Sequence, residues 1–203
     1  MICIIDYGVG NLFSLTSSLK FIGADSVVSS DAEVIRRADK IILPGVGAFC
    51  DAREKLSAGG LDKLVIDEAR RGKKLLGICL GMQMLFEKSY EYGEHEGLSL
   101  LSGRIVSMKE TLPGAVKIPH MGWNGLHVVK EHPIFKYVKE NDFVYFVHSY
   151  YALGCEDSLL ATTEYSKQIT AAVAKDNICG AQFHPEKSGE VGLSILRAFN
   201  EWE

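Results

Sequence analysis

The chain has 203 residues, of which 47% are hydrophobic and 24% charged, and its formal net charge is −4. This length can bury a core without metal or disulfide support, and the composition excludes a disordered chain. The negative charge gives no electrostatic reason to expect nucleic acid or an anionic membrane as the main partner. We therefore expect one globular domain over residues 1–203.

The first half of the sequence alternates strand and helix patterns. Short runs rich in β-branched residues predict strands at 2–6, 25–30, 40–44 and 73–79. Helical spacing of apolar residues predicts helices at 12–23, at 31–39, at 49–71 with a break at the Ala-Gly-Gly stretch, and at 80–89. Apolar strands separated by amphipathic helices predict an α/β fold with a mostly parallel central sheet flanked by helices.

The second half of the sequence changes character. Successive strands joined by short polar turns are predicted at 103–109, 125–129, 142–153, 158–165 and 170–183. These strands indicate an antiparallel or mixed β extension of the central sheet. A closing helix at 188–202 has one apolar side, formed by Val191, Ile195, Leu196 and Phe199.

The cysteines and the first residues indicate a cellular compartment. The five cysteines are widely spaced without a CxxC pair, and the first residues, MICIIDYG, lack the basic start and apolar length of a signal peptide. No stretch approaches the roughly 18 apolar residues of a membrane span. We expect a cytoplasmic protein with reduced thiols.

Cys79 has the sequence setting of a nucleophile. In GICLGMQ it follows an apolar strand and precedes a helix, with Gly77 and Gly81 on either side. This G-x-C-x-G pattern has the logic of the G-x-S-x-G elbow, in which a sharp turn requires small neighbours. The turn would lift the sulfur above the carboxyl edge of the sheet, beside a helix N-terminus that favours a thiolate. The alternative is a buried structural cysteine whose glycines allow tight packing.

A thiol nucleophile needs a base and a group that orients the base. Among six histidines, only His184 ends a strand-like run and has a carboxylate, Glu186, two residues later. In extended chain these two side chains point to the same side, so Glu186 could hold one ring nitrogen of His184. The alternatives are a solvated His-Pro-Glu turn and part of a metal site. A metal would need further ligands that the sequence does not place, so we expect no metal and no cofactor.

Several stretches together resemble a known family. The pairing of GICLGMQ with FHPEKSG resembles the class I, triad-type glutamine amidotransferases, in which a Cys–His–Glu set hydrolyses the amide of glutamine. More narrowly, the chain is similar to the glutaminase subunits of imidazole glycerol phosphate synthase, from histidine biosynthesis, in IIDYGVGNLFS, LPGVGAF, IPHMGWN and VHSYYA. The resemblance covers essentially the whole chain and implies a flavodoxin-like amidotransferase fold.

The resemblance implies roles for individual residues. Cys79 would be the nucleophile, His184 the base and Glu186 its support. An oxyanion hole would be formed by Val46, Gly47 and Leu80, and the amino-acid part of glutamine would be bound by Gln83, Glu91, His148, Ser149 and Tyr150. His148 would then belong to the substrate pocket and would not be a second base.

Two glycines in LPGVGAF suggest a conformational switch. Peptide planes beside glycine rotate at low steric cost, and Gly45 and Gly47 flank Val46. We hypothesise that the Val46–Gly47 peptide points its carbonyl inward in the isolated chain and that a partner favours the form that donates its N–H. The alternative is a plain turn between strand and helix.

A glutaminase of this size without a synthase domain needs a partner to receive its ammonia. The resemblance implies a (β/α)8-barrel cyclase that forms imidazole glycerol phosphate and an aminoimidazole carboxamide ribotide. The candidate contact residues are Asn11, Met121, Trp123, Asn124 and Lys187. Trp and Met are enriched at interface cores, whereas the alternative for Trp123 is packing within this chain.

Two other functions stay open from the sequence. One is a glutaminase that serves pyridoxal phosphate, anthranilate or purine synthesis with the same triad. The other is a non-catalytic regulatory or binding subunit on the same fold. PHMGWN and DYGVGN favour the histidine-pathway subunit over the first, and an intact Cys79, His184 and Glu186 argue against the second.

Overall fold

The computed structural model describes residues 1–114 and 116–203 of the chain. Its strands in the first half are β1 (Ile2–Ile5), β2 (Ser26–Ser29), β3 (Lys40–Leu43), β4 (Lys74–Ile78), β5 (Phe86–Ser89) and β6 (His95–Glu96). The second half adds β7 (Leu101–Ser107), β8 (His120–Gly125), β9 (His127–Val128), β10 (Phe143–His148), β11 (Tyr150–Leu153), β12 (Leu159–Glu164), β13 (Gln168–Lys175) and β14 (Ile178–Ala181). The helices are α1 (Leu12–Phe21), α2 (Ala32–Arg37), α3 (Phe49–Ala58), α4 (Leu61–Arg70), α5 (Leu80–Met84), α6 (Met108–Thr111) and α7 (Gly189–Glu201).

The main sheet has eight strands in the order β2-β1-β3-β4-β14-β13-β12-β9. The five strands from β2 to β14 run parallel, and β13, β12 and β9 continue the sheet in antiparallel pairs. The prediction of a mostly parallel sheet with an antiparallel extension is confirmed. A four-stranded sheet in the order β11-β7-β5-β6 and the two-stranded pair β10-β8 lie beside it.

Helices cover both faces of the main sheet, as the apolar strands require. Alternate residues of β1 belong to two different core clusters. Cys3 and Ile5 pack in the cluster that includes residues of α3 and α4. Ile2 and Ile4 pack in the cluster that includes residues of α1 and α7. This period of two is that of a strand buried on both sides. Among the described residues, no helix combines the length and apolar character needed to cross a membrane.

Several sequence predictions differ from the structure in detail. The strand expected over 103–109 ends at Ser107, where α6 follows, and the one expected over 125–129 is divided between the end of β8 and β9. The helix expected over 80–89 ends at Met84, and residues 86–89 form β5, which pairs with β7. A short apolar run such as MQMLF is ambiguous between helix and strand until its partner strand is known. The strand expected over 142–153 is two strands of different sheets, separated at Ser149. The strand expected over 170–183 is the β13–β14 hairpin, which turns at Asp176 and Asn177.

Strand order determines where the candidate nucleophile meets its base. β4 and β14 are adjacent and parallel, and Ile78 lies opposite Ala181 in their register. The residues that follow each strand, Cys79 on one and Gln182 to His184 on the other, therefore emerge together at the carboxyl edge of the sheet. Open α/β sheets form their sites at this edge.

Candidate active site

Cys79 occupies a strained turn between β4 and α5. Its backbone angles are φ 53° and ψ −111°, which a residue with a Cβ rarely adopts. Such a conformation costs on the order of 1–3 kcal/mol and persists only where the surroundings impose it. Here the Cys79 N–H donates to the carbonyl of Ala181 at 2.7 Å, and the Cys79 carbonyl accepts from the backbone N–H of Gln83 at 3.1 Å. The sheet and the helix thus hold the elbow from both sides.

The two glycines of the elbow are required by close approach of the backbone. A Cβ built on Gly77 would lie 2.7 Å from the Cα of Met82, and one built on Gly81 would overlap the carbonyl oxygen of Leu43. Neither neighbour is a flexible side chain that could move away. The sequence interpretation that the elbow needs small residues therefore has a steric cause in this chain.

His184 and Glu186 form a buried pair next to the elbow. The Nδ1 atom of His184 lies 2.8 Å from Oε1 of Glu186, and side chains of both are at most 4% exposed. The His184 backbone is fixed by its N–H, which donates to the Tyr145 carbonyl, and by its own carbonyl, which accepts from the Ser188 hydroxyl at 2.6 Å. With Nδ1 bound to the carboxylate, the ring nitrogen Nε2 is the one available for a reacting group.

The electrostatics of the site favour a charged His184 ring. Burial opposes the charged form, but hydrogen bonding and negative charge from Cys79 and Glu186 outweigh it and raise the pKa of His184 to about 9. A thiolate on Cys79 and an imidazolium on His184 therefore stabilise each other. This is the charge state in which a cysteine attacks a carbonyl carbon.

A cavity of about 330 Å³ opens over the Cys79 sulfur. It brings together the residues expected to form the oxyanion hole and the glutamine pocket with two members of the triad: Val46, Gly47, Cys79, Leu80, Gln83, Glu91, His148, Ser149, Tyr150 and His184. A larger open cleft, lined by Lys40, Lys74 and Trp202, contains none of the predicted site residues. Lys40 and Lys74 begin β3 and β4, so that cleft lies at the opposite edge of the sheet.

Two side chains hold the loop that carries Val46 and Gly47. Upstream of it, the Tyr7 hydroxyl donates to the carbonyl of Pro44 at 2.6 Å. Downstream, the Glu91 carboxylate accepts from the backbone N–H of Phe49 at 2.7 Å, and burial raises the pKa of Glu91. Gly47 has φ +92° and no atom within 4 Å of a Cβ built on it, so the loop is anchored at its ends and open in its middle.

His148 is a neutral residue of the cavity wall. Burial lowers the pKa of His148 to about 3, and its Nδ1 lies 2.9 Å from the carbonyl oxygen of Tyr150. A carbonyl cannot donate, so Nδ1 carries the proton and Nε2 is an acceptor. His120, whose pKa burial lowers to about 4, donates its own Nδ1–H to that acceptor at 3.0 Å. That His148 is not a second base stays a prediction.

The residues proposed for partner contact lie on a surface with exposed apolar side chains. Met121 and Trp123 of β8 are 62% and 50% exposed, so the alternative that Trp123 packs in the core is wrong. Trp123 meets the edge of Tyr145 at 6.0 Å, and the Lys187 ammonium lies 5.9 Å from the centre of the same ring. Asn11 is the N-cap of α1, while the Asn124 amide donates within this chain to the Glu164 carbonyl.

Sequence reasoning missed three residues that the site uses. Gln182 is fully buried, and its Nε2 lies 3.8 Å from the Cys79 sulfur. His120 supports His148, and Tyr7 holds the loop after β3. A signal for Gln182 was present, because it stands two positions before His184 and shares its side of an extended chain. Nothing in the sequence pattern could relate Tyr7 to Pro44.

Comparison with known proteins identifies the family. Residues 3–201 match the glutamine amidotransferase class-I family. Two curated relatives are named "Imidazole glycerol phosphate synthase subunit HisH". The relative from Caldanaerobacter subterraneus subsp. tengcongensis is 51% identical over 99% of this chain and 98% of its own length. The one from Oceanobacillus iheyensis is 50% identical over the same shares.

Solved structures show the same fold at low sequence identity. A structure described as a glutamine amidotransferase has a TM-score of 0.75 at 17% identity and covers 98% of this chain and 99% of its own. The structure of PurLQS from Thermotoga maritima has a TM-score of 0.72 at 20% identity and covers 98% and 96%. These likenesses show the fold, and the family match over residues 3–201 establishes that the chain belongs to the class-I glutamine amidotransferases.

Proposed function

We propose that the chain is the glutaminase subunit of imidazole glycerol phosphate synthase. It hydrolyses L-glutamine to glutamate and ammonia and passes the ammonia to a cyclase subunit, which forms imidazole glycerol phosphate and an aminoimidazole carboxamide ribotide. The names of relatives about 50% identical over nearly their full length support the pathway. The observation that carries the chemistry is the strained Cys79 elbow facing the buried His184–Glu186 pair.

The triad performs amide cleavage in two stages. The proton of the Cys79 thiol resides on Nε2 of His184, and the Cys79 thiolate attacks the carboxamide carbon. The imidazolium then gives that proton to the departing nitrogen, so ammonia leaves and a glutamyl thioester remains. Water, deprotonated by the same ring, breaks the thioester to glutamate and restores the thiolate–imidazolium pair. Glu186 keeps Nδ1 protonated and stabilises the imidazolium through both stages.

Backbone N–H groups stabilise the oxyanion that forms on the carboxamide oxygen. We assign this role to Leu80, the first residue of α5, and to the Val46–Gly47 peptide. One such donor is worth about 2.7–4 kcal/mol, or roughly 100- to 1,000-fold in rate. The open middle of the loop at Gly47 supports our hypothesis that this peptide rotates and that the cyclase selects the donating form.

The pocket selects glutamine through the amide of Gln83. Both N–H bonds of Gln83 are used within the chain, one on the Tyr150 carbonyl and one on Gln182. The group that Gln83 can still offer is its oxygen, an acceptor that suits the α-ammonium of an amino acid. His148, Ser149, Tyr150 and Glu91 also line this cavity.

The cyclase binds the surface that carries Asn11, Met121, Trp123, Asn124 and Lys187. The exposed Met121 and Trp123 side chains support this, because apolar and aromatic side chains form the centres of interfaces. Phe13, which is 83% exposed two residues after Asn11, extends the same proposal. Copurification tests it: Trp123→Ala should lower partner affinity and coupled turnover, and unchanged values would remove Trp123 from the interface.

The five cysteines are all free, which supports the proposal that this is a cytoplasmic protein.

The function is tested by glutamate release with and without a purified cyclase and its ribonucleotide ligand. Wild type should release glutamate in the complex, and Cys79→Ser should release none above background. The isolated chain should be slower if the loop rests in its non-donating form. Equal rates for the isolated chain and the ligand-bound complex would end the switch hypothesis, and an active Cys79→Ser complex would end the proposed chemistry.

A further inference from the structure

A chain of hydrogen bonds joins the wall of the cavity to the nucleophile. The Nε2 of Gln83 lies 3.0 Å from the Tyr150 carbonyl oxygen and 3.0 Å from Oε1 of Gln182. The Nε2 of Gln182 lies 3.8 Å from the sulfur of Cys79. Cys79 and Gln83 lie on the elbow and on α5, Tyr150 on β11, and Gln182 follows β14. The mechanism above gives Gln182 no role.

The carbonyl of Tyr150 fixes the orientation of both amides. A carbonyl oxygen only accepts, so the Gln83 atom facing it must be the NH2 group. The second N–H of that group points at Gln182, which must therefore present its oxygen to Gln83. The NH2 group of Gln182 then faces Cys79. Exchanging the amide nitrogen and oxygen of either glutamine would place two acceptors or two donors against each other, because the Tyr150 carbonyl can only accept.

Gln182 is also fixed in place by its surroundings. Its side chain is fully buried, and its backbone N–H donates to the Ala171 carbonyl at 2.9 Å. A buried amide held at its oxygen has little freedom to turn away from the sulfur. A thiol sulfur is a weak acceptor, whereas a thiolate makes a charge-assisted and stronger hydrogen bond. The contact therefore stabilises the ionised form of Cys79 more than the neutral form.

We propose that Gln182 is a further catalytic residue, whose Nε2–H donates to the Cys79 sulfur and favours the thiolate that attacks glutamine. The inference rests on the proposed glutaminase function. Gln83 and the Tyr150 carbonyl are positioning groups for Gln182. Gln182→Glu removes the Nε2–H donor and keeps the shape of the side chain. Gln182→Met removes the donor without adding a charge.

The test measures ionisation of the thiol rather than turnover. Iodoacetamide alkylation of Cys79 is followed against pH by peptide mass spectrometry, with the half-exposed Cys50 of α3 as the internal reference. In Gln182→Glu the midpoint of the Cys79 profile should move up by about one pH unit, so that alkylation at pH values below the wild-type midpoint slows by up to about tenfold. Gln182→Met should shift the midpoint in the same direction by less, and the Cys50 profile should not move.

Folding and function are controlled separately. Circular dichroism and thermal unfolding identify a variant that fails to fold, and if Gln182→Glu fails, Gln182→Met decides. An unchanged Cys79 midpoint in a folded variant would overturn the proposal. The alkylation readout needs no glutamine. If the wild-type complex is inactive but the Cys79 midpoint shifts in the Gln182 variants, the proposed function alone is rejected. If the wild-type complex is active and the midpoint does not shift in the variants, the role of Gln182 alone is rejected.

Discussion

Replacing Cys79 by alanine and by glycine measures the strain stored in the elbow. With φ 53° and ψ −111°, Cys79 holds a conformation that costs a residue with a Cβ about 1–3 kcal/mol. Alanine keeps that cost and glycine removes it. Cys50, the second residue of α3, provides the matched pair, because there glycine should be less stable than alanine by about 0.5–1 kcal/mol.

The comparison of the two pairs isolates the strain. The greater backbone entropy of unfolded glycine enters both pairs and cancels, so the glycine-minus-alanine difference at Cys79 should exceed that at Cys50 by about 1–3 kcal/mol in favour of glycine. For a chain of this size that corresponds to about 2–12 °C in the midpoint of thermal unfolding. Urea unfolding of all four variants gives the free energies. The same glycine penalty at both positions would show that the elbow stores no strain.

Three further predictions concern packing and charge. Gly81→Ala should unfold or precipitate the chain, because its Cβ would overlap the Leu43 carbonyl. Gly47→Ala meets no neighbour and should cost about 1–3 kcal/mol of backbone strain in urea unfolding; equal losses would contradict the close approach at Gly81. Burial lowers the pKa of His120 from 6.5 to about 4 and that of His148 from 6.5 to about 3, so between these values and pH 6.5 the unfolded state binds more protons than the folded state. The free energy of unfolding should therefore fall below pH 6.5 by up to about 1.4 kcal/mol per pH unit for each ring. Urea unfolding of wild type and His120→Phe checks this, and an equal slope in the variant would exclude His120. Glu186→Gln should lower the pKa of His184, followed by NMR of its ring protons, and an unmoved titration would show that the carboxylate does not hold the imidazolium.

Local patterns predicted the parts of the site that lie close together in sequence. The steric demand around Cys79 is visible in Gly77 and Gly81, and the two-residue spacing of His184 and Glu186 implies one side of an extended chain. The main sheet followed from apolar strands alternating with helices. Two of the boundaries that failed, after Met84 and at Ser149, are points where the chain moves to another sheet while its apolar pattern continues.

Long-range contacts could not be predicted from the pattern. That Cys79 meets Gln182 and His184 depends on the pairing of β4 with β14, which are about a hundred positions apart, and strand order is a property of the packed sheet. The exposure of Trp123 likewise depends on the pairing of β8 with β10, which form a two-stranded sheet within the described part of the chain. The division of the chain into a single domain stays a prediction.

The most direct test of the account is the site of covalent modification by a diazoketone analogue of glutamine. The ligand-bound complex with the cyclase should take up one analogue per glutaminase chain, and peptide mapping should find it on the sulfur of Cys79, with loss of glutamate release in the same proportion. Modification at another cysteine, or full activity after Cys79 is labelled, would contradict the assignment of this sulfur as the nucleophile.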